Sequence, residues 1–395
     1  MTHTSMQPFL SVRTAGLFFF TLVASLVSSC RNSGRPVRHE PSKQAVTIHE
    51  IDIDTLMLQI PNTSGSGKIQ FYGDSIVFCD NIYCQVSSYG PDGNFKNVFL
   101  GKGRGPGEIK ALQEVILTPE NKYVLENWNI HVYDRNWKRK AFTKINWNST
   151  KSASFLENNP GGEESGIYEV KYFQNKFVLL DSNTYLFNIE SLHPKYNGYL
   201  AADNYYKTAH LVAKMDAASG KVTDLMGNYT DVYLKYKYLP NLANWKYDLV
   251  QDSVYLTFEI DERIYVMDKD FHPVRSFGLK PDSMKMNYIP TNTFKAAGAR
   301  YKEDRATKCY FSDIKFIKEK NLLLRVYTTG APAGSYSETA PQHQRMQVYR
   351  GNTLIGDVSV PPEFKVLGYD ERYVYADGLH DSANSRVGVY RFRIF

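Results

Sequence analysis

One local pattern recurs throughout the chain: short runs of apolar and aromatic residues, each bounded by a turn. Two of these runs, residues 130–134 and 264–268, end in tyrosine or methionine followed by aspartate. Six such units fill residues 45–395, at about 58 residues per unit, which is somewhat longer than compact propeller repeats. No segment of twelve or more residues shows a helical period. Many short, regularly spaced strands indicate an all-β fold. We therefore predict a six-bladed β-propeller over residues 45–395, with a two-sheet sandwich as the alternative.

The two ends of this region are expected to meet. Residues 46–53 largely alternate apolar and polar side chains, as a half-buried strand does;. Residues 387–395 form the last strand that the pattern predicts. A propeller that builds one blade from both chain ends leaves no exposed strand edge there. We therefore expect residues 46–53 to complete the last blade.

The first thirty residues have the parts of a secretory signal. A short region with Arg13 leads into a weakly polar to apolar segment over residues 15–27, and small residues precede Cys30;. That segment is shorter than the ~20 apolar residues of a membrane-spanning helix. Cys30 resembles the lipidated cysteine of the bacterial lipobox. We predict a signal peptide over residues 1–29 and lipidation of Cys30, with a plain signal peptide and a chance cysteine as the alternative.

The residues after the cysteine predict where in the cell the protein is located. Residues 31–44 are polar and without a period, so residues 30–44 are expected to form a lipidated tether;. Arg31 rather than aspartate follows Cys30, which favours transfer to the outer membrane, facing the periplasm. Several acyl chains together give stable membrane association.

The charge of the chain argues against a nucleic-acid partner. The chain has 47 basic and 41 acidic residues, a formal net charge of +6, and its basic residues lie among acidic ones. A nucleic-acid patch would need a run or stripe of lysine and arginine. We therefore predict no nucleic-acid binding.

Cys79 and Cys84 form the one pair of cysteines that lie close in sequence. If residues 80–83 make a four-residue hairpin loop, the two thiols face each other across the strands. An exported protein can form a disulfide there, provided that the geometry allows it. Two buried free thiols are the alternative. Cys309 has no evident partner, and no Cys-x-x-Cys motif occurs;.

Residues 101–108, GKGRGPGE, are the most distinctive segment of the chain. A P-loop requires serine or threonine after its Gly-Lys pair, and here glycine follows Lys102. The dinucleotide-binding pattern requires a glycine where Pro106 stands. Neither kind of phosphate site is therefore predicted.

The same segment carries a resemblance. The sequence FLGKGRGPGEI follows the turn SYGPDGNF and precedes a strand that ends HVYD. In these motifs, within residues 68–135, the chain resembles the six-bladed β-propeller lipoproteins of Gram-negative bacteria, a TolB-like and NHL-like group. The resemblance implies a fold and a cellular location but no activity. In a propeller this segment would connect the outermost strand of one blade to the innermost strand of the next, with glycines permitting tight turns. Lys102, Arg104 and Glu108 would then be candidates at the mouth of the central channel.

Residues 229–247 are the densest aromatic stretch, and they lie in one of the predicted insertions. Tyrosine and tryptophan are favoured at interfaces, so this stretch could bind a sugar ring or a partner. Ordinary packing between strands and blades is the alternative. The aromatic binding candidates are Tyr229, Tyr233, Tyr236, Tyr238, Trp245 and Tyr247.

The sequence offers no motif for catalysis. No Gly-x-Ser-x-Gly elbow and no clustered histidines occur, so we predict no catalytic residue and no cofactor;. Calcium needs six to eight oxygen ligands. Glu108, Asp181, Asp248 and Asp313 could supply some of these only if different blades bring them together, and a divalent cation such as calcium stays open.

We predict from these features a membrane-anchored binding or scaffold module of the cell envelope. Its partner would be an envelope protein, a peptide or a glycan. A divalent-metal-dependent propeller hydrolase or lyase is one alternative function, and a sensor or assembly partner of an envelope complex is another.

Overall fold

The computed structural model describes residues 37–59, 62–147, 151–158, 167–171, 174, 176–200, 205–331 and 342–394. Within these residues the strands form six sheets of four or five strands each. The first strands of neighbouring sheets contact one another, so the sheets radiate from a common axis. This arrangement is a six-bladed β-propeller, and the predicted fold class is confirmed;.

Each blade runs from an innermost strand outward through antiparallel neighbours. Three strands belong to the N-terminal segment: β1 (Arg38–His39), β2 (Lys43–Ile48) and β3 (Ile53–Met57). Blade 1 contains β4 (Gly67–Tyr72), β5 (Ser75–Asp80), β6 (Gln85–Tyr89) and β7 (Phe95–Phe99). Blade 2 contains β8 (Glu114–Leu117), β9 (Asn121–Glu126), β10 (Asn129–Asp134) and β11 (Arg139–Lys144). Blade 3 contains β12 (Tyr168–Val170), β13 (Phe177–Asp181), β14 (Thr184–Ser191), β15 (His210–Asp216) and β16 (Val222–Asn228), with β12 and β13 both paired to β14.

The remaining blades follow the same order. Blade 4 contains β17 (Trp245–Val250), β18 (Ser253–Phe258), β19 (Ile264–Asp268) and β20 (Pro273–Phe277). Blade 5 contains β21 (Tyr310–Ile317), β22 (Leu322–Thr328), β23 (Gln344–Arg350) and β24 (Thr353–Val360). Blade 6 contains β25 (Lys365–Tyr369), β26 (Val374–Asp381) and β27 (Arg386–Phe392), and β3 is its outermost strand.

The hydrophobic core lies between blades. Leu125 of blade 2 and Phe187 of blade 3, both fully buried, belong to one apolar cluster. Val326 of blade 5 and Val374 of blade 6 share another. The middle strands are buried on both faces, as the sequence LLLRVYT of β22 shows, whereas β11, the outermost strand of blade 2, is exposed at five of its six residues. Aromatic and β-branched residues fit such pleated surfaces, which explains the composition of the chain.

The N-terminal segment forms the outer edge of three blades in turn. β1 pairs in parallel with β20, β2 pairs in parallel with β24, and β3 pairs antiparallel with β27. The predicted closure by both chain ends is therefore confirmed, but the closing strand is β3 rather than residues 46–53. The strand β2 shows the alternating pattern because it covers blade 5. The pattern shows that a strand covers a blade, but it does not show whether that blade is blade 5 or blade 6.

The end of the predicted tether also lies on the propeller. The backbone of Glu40 donates to Ser276 (2.8 Å), and Ser42 accepts from Gly278 (2.7 Å). The Ser42 contact uses the side-chain hydroxyl, and the Glu40 carboxylate also accepts from Arg275 of β20 (2.9 Å), so polar side chains of this segment bind the edge of blade 4. A polar sequence was therefore no sign of a free segment here. The predicted signal peptide, Cys30 and residues 30–36 of the tether lie outside the described residues.

Helices occupy the connections between strands. Among the described residues, the helices are α1 (Ala153–Asn158), α2 (Tyr205–Thr208), α3 (Asp231–Tyr236) and α4 (Phe294–Thr307), with short 3-10 turns at Pro240–Leu242, Lys318–Lys320 and Ser382–Asn384. The 14-residue α4 is a helix that the absence of a helical period did not predict. Its only buried residues are Ala297 and Asp304, so it has no apolar stripe that a periodicity search would detect;. No described helix is both long enough and apolar enough to cross a membrane.

Candidate functional site in the central channel

The innermost strands enclose a cavity of about 610 Å³ on the propeller axis. All six blades contribute to its lining, through β4, β8, β13, β17, β21 and β25. A second cavity of about 510 Å³ shares Asp248, Lys315 and Leu367 with the first and extends toward the ends of the innermost strands. The two together form the central channel of the propeller, and the channel is polar and charged in its middle.

Two ion pairs hold charged side chains across the channel between blades. Lys68 of blade 1 lies 2.8 Å from a carboxylate oxygen of Glu114 in blade 2, and Gln70 donates to the other oxygen (3.2 Å). Lys315 of blade 5 lies 3.0 Å from Asp248 of blade 4, which also accepts from the backbone of Phe316 (3.0 Å). These carboxylates therefore already have partners.

Lys176 and Lys246 differ from these lysines. Lys176 donates to the backbone carbonyl of Tyr247, and its ammonium lies 4.6 Å from the centre of the Tyr247 ring. The side chain of Lys246 makes no hydrogen bond or ion pair within the described part of the chain. Burial lowers the pKa of Lys246 to about 8, although the charge of Asp313 opposes the shift. Burial likewise lowers the pKa of Lys176, against the attraction of Asp248.

Asp313 is the third carboxylate of the channel. One of its oxygens accepts from the backbone of Val366 in blade 6 (2.9 Å). Burial raises the pKa of this carboxyl, while the charges of Lys246, Lys176 and Lys365 lower it. Two of these lysines, Lys176 and Lys246, line the cavity together with Asp313.

Among the described residues, several buried polar atoms between blades 3 and 4 have no hydrogen-bond partner. They are the side-chain oxygens of Gln174 and Asn188 in blade 3, and the indole N–H of Trp245 and the hydroxyl of Tyr247 in blade 4. Other atoms of these residues line the cavity. The unpaired atoms themselves have no surface that solvent reaches, so they belong to the packing between the two blades and not to the cavity surface.

The glycine-rich segment lies where the sequence predicts it, between β7 and β8. A backbone bridge joins Lys102 to Ile109, and the Glu108 carboxylate accepts from the Gly105 backbone (2.7 Å). A Cβ atom on Gly103 would lie 2.0 Å from that carboxylate, so any larger residue there would displace the Glu108 side chain. Glu108 therefore stabilises the connector itself. The residues that line the cavity do not include Lys102, Arg104 or Glu108. Their role at the channel mouth stays a prediction.

The aromatic stretch of residues 229–247 packs mostly inward. Tyr233, Tyr238, Trp245 and Tyr247 are buried, and Tyr229 and Tyr236 are partly buried. The hydroxyl of Tyr233 donates to the Leu242 carbonyl (3.0 Å). Rings of this stretch form edge-to-face and tilted contacts with one another and with neighbouring aromatic residues, among them Tyr206, Phe258, Phe271 and Tyr288. This geometry favours the packing alternative for most of the set, whereas Trp245 and Tyr247 also line the channel.

Cys79 and Cys84 are free and buried in the structure. The strand register pairs Cys79 with Val86 and not with Cys84. The predicted loop is shifted by one residue because the Asp80 carboxylate accepts from the backbones of Ile82 (3.0 Å) and Tyr83 (2.8 Å) and fixes the turn after itself. Cys84 therefore lies in the turn, with a positive φ of 55°. The alternative of two buried thiols matches this geometry.

The four acidic residues considered for calcium are not brought together. Asp248 and Asp313 line the channel, Glu108 lies in the glycine-rich connector, and Asp181 ends β13. Among the described residues, no group of three or more histidine, cysteine, aspartate and glutamate side chains could hold a metal ion.

No sequence motif indicated the lysines that line the cavity. Lys176, Lys246 and Lys315 each lie on the first strand of a different blade, or just before it. Because 70 and 69 residues separate successive ones, no local motif links them. Alignment of the six repeat units on their first strands is the signal that would have found them.

Comparisons with known proteins support the fold. No family model matches the sequence, and no curated protein matches it. Among solved structures, a member of the DUF4221 family from Bacteroides vulgatus superposes with a TM-score of 0.66 at 14% identity, over 87% of this chain and 96% of that one. A Bacteroides fragilis protein described as exported superposes with a TM-score of 0.52 at 13% identity, over 90% of this chain and 99% of that one. At these identities the likeness shows a shared six-bladed propeller fold.

Proposed function

We propose that this protein is a lipid-anchored propeller of the cell envelope that binds a small polar ligand in its central channel. The observation that carries the proposal is the cavity on the propeller axis, to which all six blades contribute and whose lining includes the charged side chains of Lys246 and Asp313. Concave sites with a few convergent polar groups are where small molecules bind. The cavity of about 610 Å³ lies within the usual range for such sites;.

The proposed location in the cell envelope is supported by the signal-like N terminus and by Cys30. A structure with the same fold is described as an exported protein, which is consistent with that address. A tethered propeller would hold its channel at the membrane surface while the ligand exchanges with the periplasm. An envelope protein, a peptide or a glycan could deliver the part that enters the channel.

The channel carboxylates favour binding over metal-dependent catalysis. Glu114 and Asp248 each accept from a lysine, and Asp313 accepts from a backbone N–H. A metal-dependent hydrolase would need several of these oxygens directed at one cation. In this structure the carboxylate oxygens instead accept hydrogen bonds from neighbouring blades. The arrangement therefore supports recognition of a ligand by fixed polar groups.

A channel-filling variant tests the binding proposal. Val178 lines the cavity from β13, whereas Val274 lies on the outermost strand β20 and is 57% exposed. The melting temperature of the mature protein would be measured with a panel of sugars, sugar acids, amino acids and nucleotides. We expect at least one compound to raise the melting temperature of the wild type and of Val274→Trp, but not of Val178→Trp. Compounds that stabilise all three proteins equally, or none of them, would contradict binding in the channel.

A further inference from the structure

Two pairs of opposite charges line the channel between blades 4 and 5, and they indicate the class of ligand, an inference that rests on the proposed function. Lys246 and Asp248 lie two residues apart on β17. Asp313 and Lys315 have the same spacing on β21. Residues two apart on a strand lie on the same face. The Lys315 ammonium lies 3.0 Å from an Asp248 carboxylate oxygen, so this pair is closed. Lys246 and Asp313, two residues earlier on both strands, are the second pair.

The second pair is open. Among the described residues, the Lys246 side chain has no ion pair, although the charge of Asp313 raises its pKa against the effect of burial. The Asp313 carboxylate is held at the boundary with blade 6, where its oxygen Oδ2 accepts from the backbone of Val366 (2.9 Å). Its other oxygen, Oδ1, has no hydrogen-bond partner in the described part of the chain. Lys246 and Asp313 therefore line one cavity as two separate, opposite charges.

Both charged groups are open to the cavity. Unpaired side-chain atoms that solvent cannot reach occur in the packing between blades 3 and 4, and the Tyr247 hydroxyl is one of them. The Lys246 ammonium and Oδ1 of Asp313 are not among these inaccessible atoms. Both residues are half-buried, so each group keeps a surface that a ligand can contact. Burial lowers the pKa of Lys246 to about 8, which leaves its ammonium charged at neutral pH.

A ligand that satisfies both groups needs a negative and a positive part. An anion alone would be attracted by Lys246 and repelled by Asp313, and a cation alone would be attracted and repelled in the opposite sense. A hydroxyl group could accept from Lys246 and donate to Asp313, but it would bring no charge to either. Charged groups removed from water need a partner of opposite charge. The open pair therefore favours a compact zwitterion.

The rest of the lining favours an apolar group beside these charges. Val178, Leu249 and Leu367 come from three different blades, line the cavity and are only half-buried. Covering such apolar surface contributes about 25 cal/mol per Å² to binding or folding. An α-amino acid with an apolar side chain has a carboxylate and an ammonium on one carbon atom, and its side chain would cover part of this surface.

We propose that the channel binds a free apolar α-amino acid as its zwitterion, with its carboxylate at Lys246 and its ammonium at Asp313. The ligand would complete the second pair with the charges that Lys315 and Asp248 supply to each other in the first. A peptide carries its two terminal charges at opposite ends, so a free amino acid fits this pair and the end of a peptide does not.

Calorimetric titration of the mature protein in detergent with three probes tests the proposal. The probes are L-leucine, 4-methylpentanoate, which lacks only the ammonium, and 3-methylbutylamine, which lacks only the carboxylate. We expect L-leucine to bind at least tenfold more tightly than either analogue, because each analogue leaves one protein charge without a partner. An analogue that binds as tightly as L-leucine would overturn the assignment of a zwitterion.

Two variants identify which residue binds which end of the ligand. Lys246→Met should lower the affinity for L-leucine and 4-methylpentanoate at least tenfold, but not the affinity for 3-methylbutylamine. Asp313→Asn, which keeps an oxygen for the Val366 backbone, should lower the affinity for L-leucine and 3-methylbutylamine, but not for 4-methylpentanoate. Lys246→Arg keeps the charge and should retain most of the L-leucine affinity. Lys295→Met, at an exposed position of α4, is the matched control and should bind as the wild type does.

The outcomes separate this inference from the proposed function. Full L-leucine affinity in folded Lys246→Met and Asp313→Asn variants would overturn the amino-acid inference and leave a channel that binds its ligand through other groups. If L-leucine does not bind, the amino-acid inference fails, and the Val178→Trp screen decides separately whether the channel binds another compound. If a variant does not fold, the comparison of the three probes on the wild type still gives the result.

Discussion

Arg325 is a fully buried cation at the boundary between blades 4 and 5. Its guanidinium donates to the backbone carbonyls of Asp261 and Glu262, each at 2.6 Å, and to the Thr257 hydroxyl at 2.9 Å. The group also lies against the ring of Phe311, 3.1 Å from the ring centre. Burial lowers the pKa of the guanidinium to about 10, so it is still charged at neutral pH. One side chain from β22 thus fixes the turn after β18 in the neighbouring blade.

Replacement of Arg325 should destabilise the propeller strongly. Arg325→Met removes the donors and leaves two buried carbonyls of blade 4 without a partner. Loss of such a group costs about 3 kcal/mol or more in the free energy of unfolding. Urea unfolding, followed by tryptophan fluorescence, measures the change. Arg372→Met, at an exposed turn position, is the control and should change the free energy by less than about 0.5 kcal/mol;. A similar small change for Arg325→Met would show that the blade boundary does not depend on this group.

Among the connecting elements, the glycine-rich segment between β7 and β8 owes its shape to one contact. The Glu108 carboxylate turns back onto the loop, and a Cβ on Gly103 would meet it. Gly103→Ala should therefore destabilise the protein by up to about 1 kcal/mol, because the displaced Glu108 carboxylate loses its exposed hydrogen bond to Gly105;. In the Glu108→Ala background the same substitution should cost much less. A double-mutant cycle in urea measures the coupling, which we expect to exceed about 0.5 kcal/mol.

A second glycine provides the control for this cycle. Gly298 lies within α4, and a Cβ there meets no atom within 4 Å. Gly298→Ala should stabilise the protein by up to about 1 kcal/mol, because alanine favours a helix. Additive effects of Gly103→Ala and Glu108→Ala would contradict the contact as the reason for the glycine.

The strand β3 closes the ring of six blades. This strand covers β27, where Val387 and Val389 are fully buried and Asp54 pairs with Arg391. A protein that begins at residue 50 loses β1 and β2 but keeps β3, whereas one that begins at residue 59 loses all three. We expect the first to melt cooperatively and the second to aggregate or melt much lower, since an open edge strand is left exposed. Thermal melts by circular dichroism compare the two. Equal melting temperatures would show that β3 does not close the ring.

The elements differ in how far the sequence determines them. The middle strands could be predicted because their apolar runs and turn residues are local signals, and the connector at residues 101–108 could be placed from its glycines. The strand β3 could not be predicted as the closing strand, because its residues IDTLM do not alternate and the choice of blade depends on distant backbone edges. The helix α4 is held by polar contacts, such as Asp304 to Asn241 (2.9 Å), which leave no hydrophobic period.

At the scale of the whole molecule, the candidate site is a product of the propeller's symmetry. Each blade places its first strand at the axis, so residues far apart in sequence become neighbours there. Lys176 and Lys246 lie 70 residues apart in sequence and line the same cavity. A search for local motifs finds the fold and misses such a site. Asp248 and Asp313 were foreseen only as possible calcium ligands, and Trp245 and Tyr247 only as part of an aromatic stretch.

The molecule as a whole is expected to act at a membrane, and Cys30 tests that expectation. In a Gram-negative host, the full-length protein should sediment with the membranes and need detergent for release, and its intact mass should show acyl chains. Cys30→Ser should remove the acyl mass and leave the protein unprocessed or soluble, whereas Cys309→Ser, a control in the propeller, should fractionate as the wild type does. Arg31→Asp should shift the protein from the outer to the inner membrane in a density gradient. A wild type that is soluble and carries no acyl mass would favour the plain signal peptide, so that export would stand without the anchor.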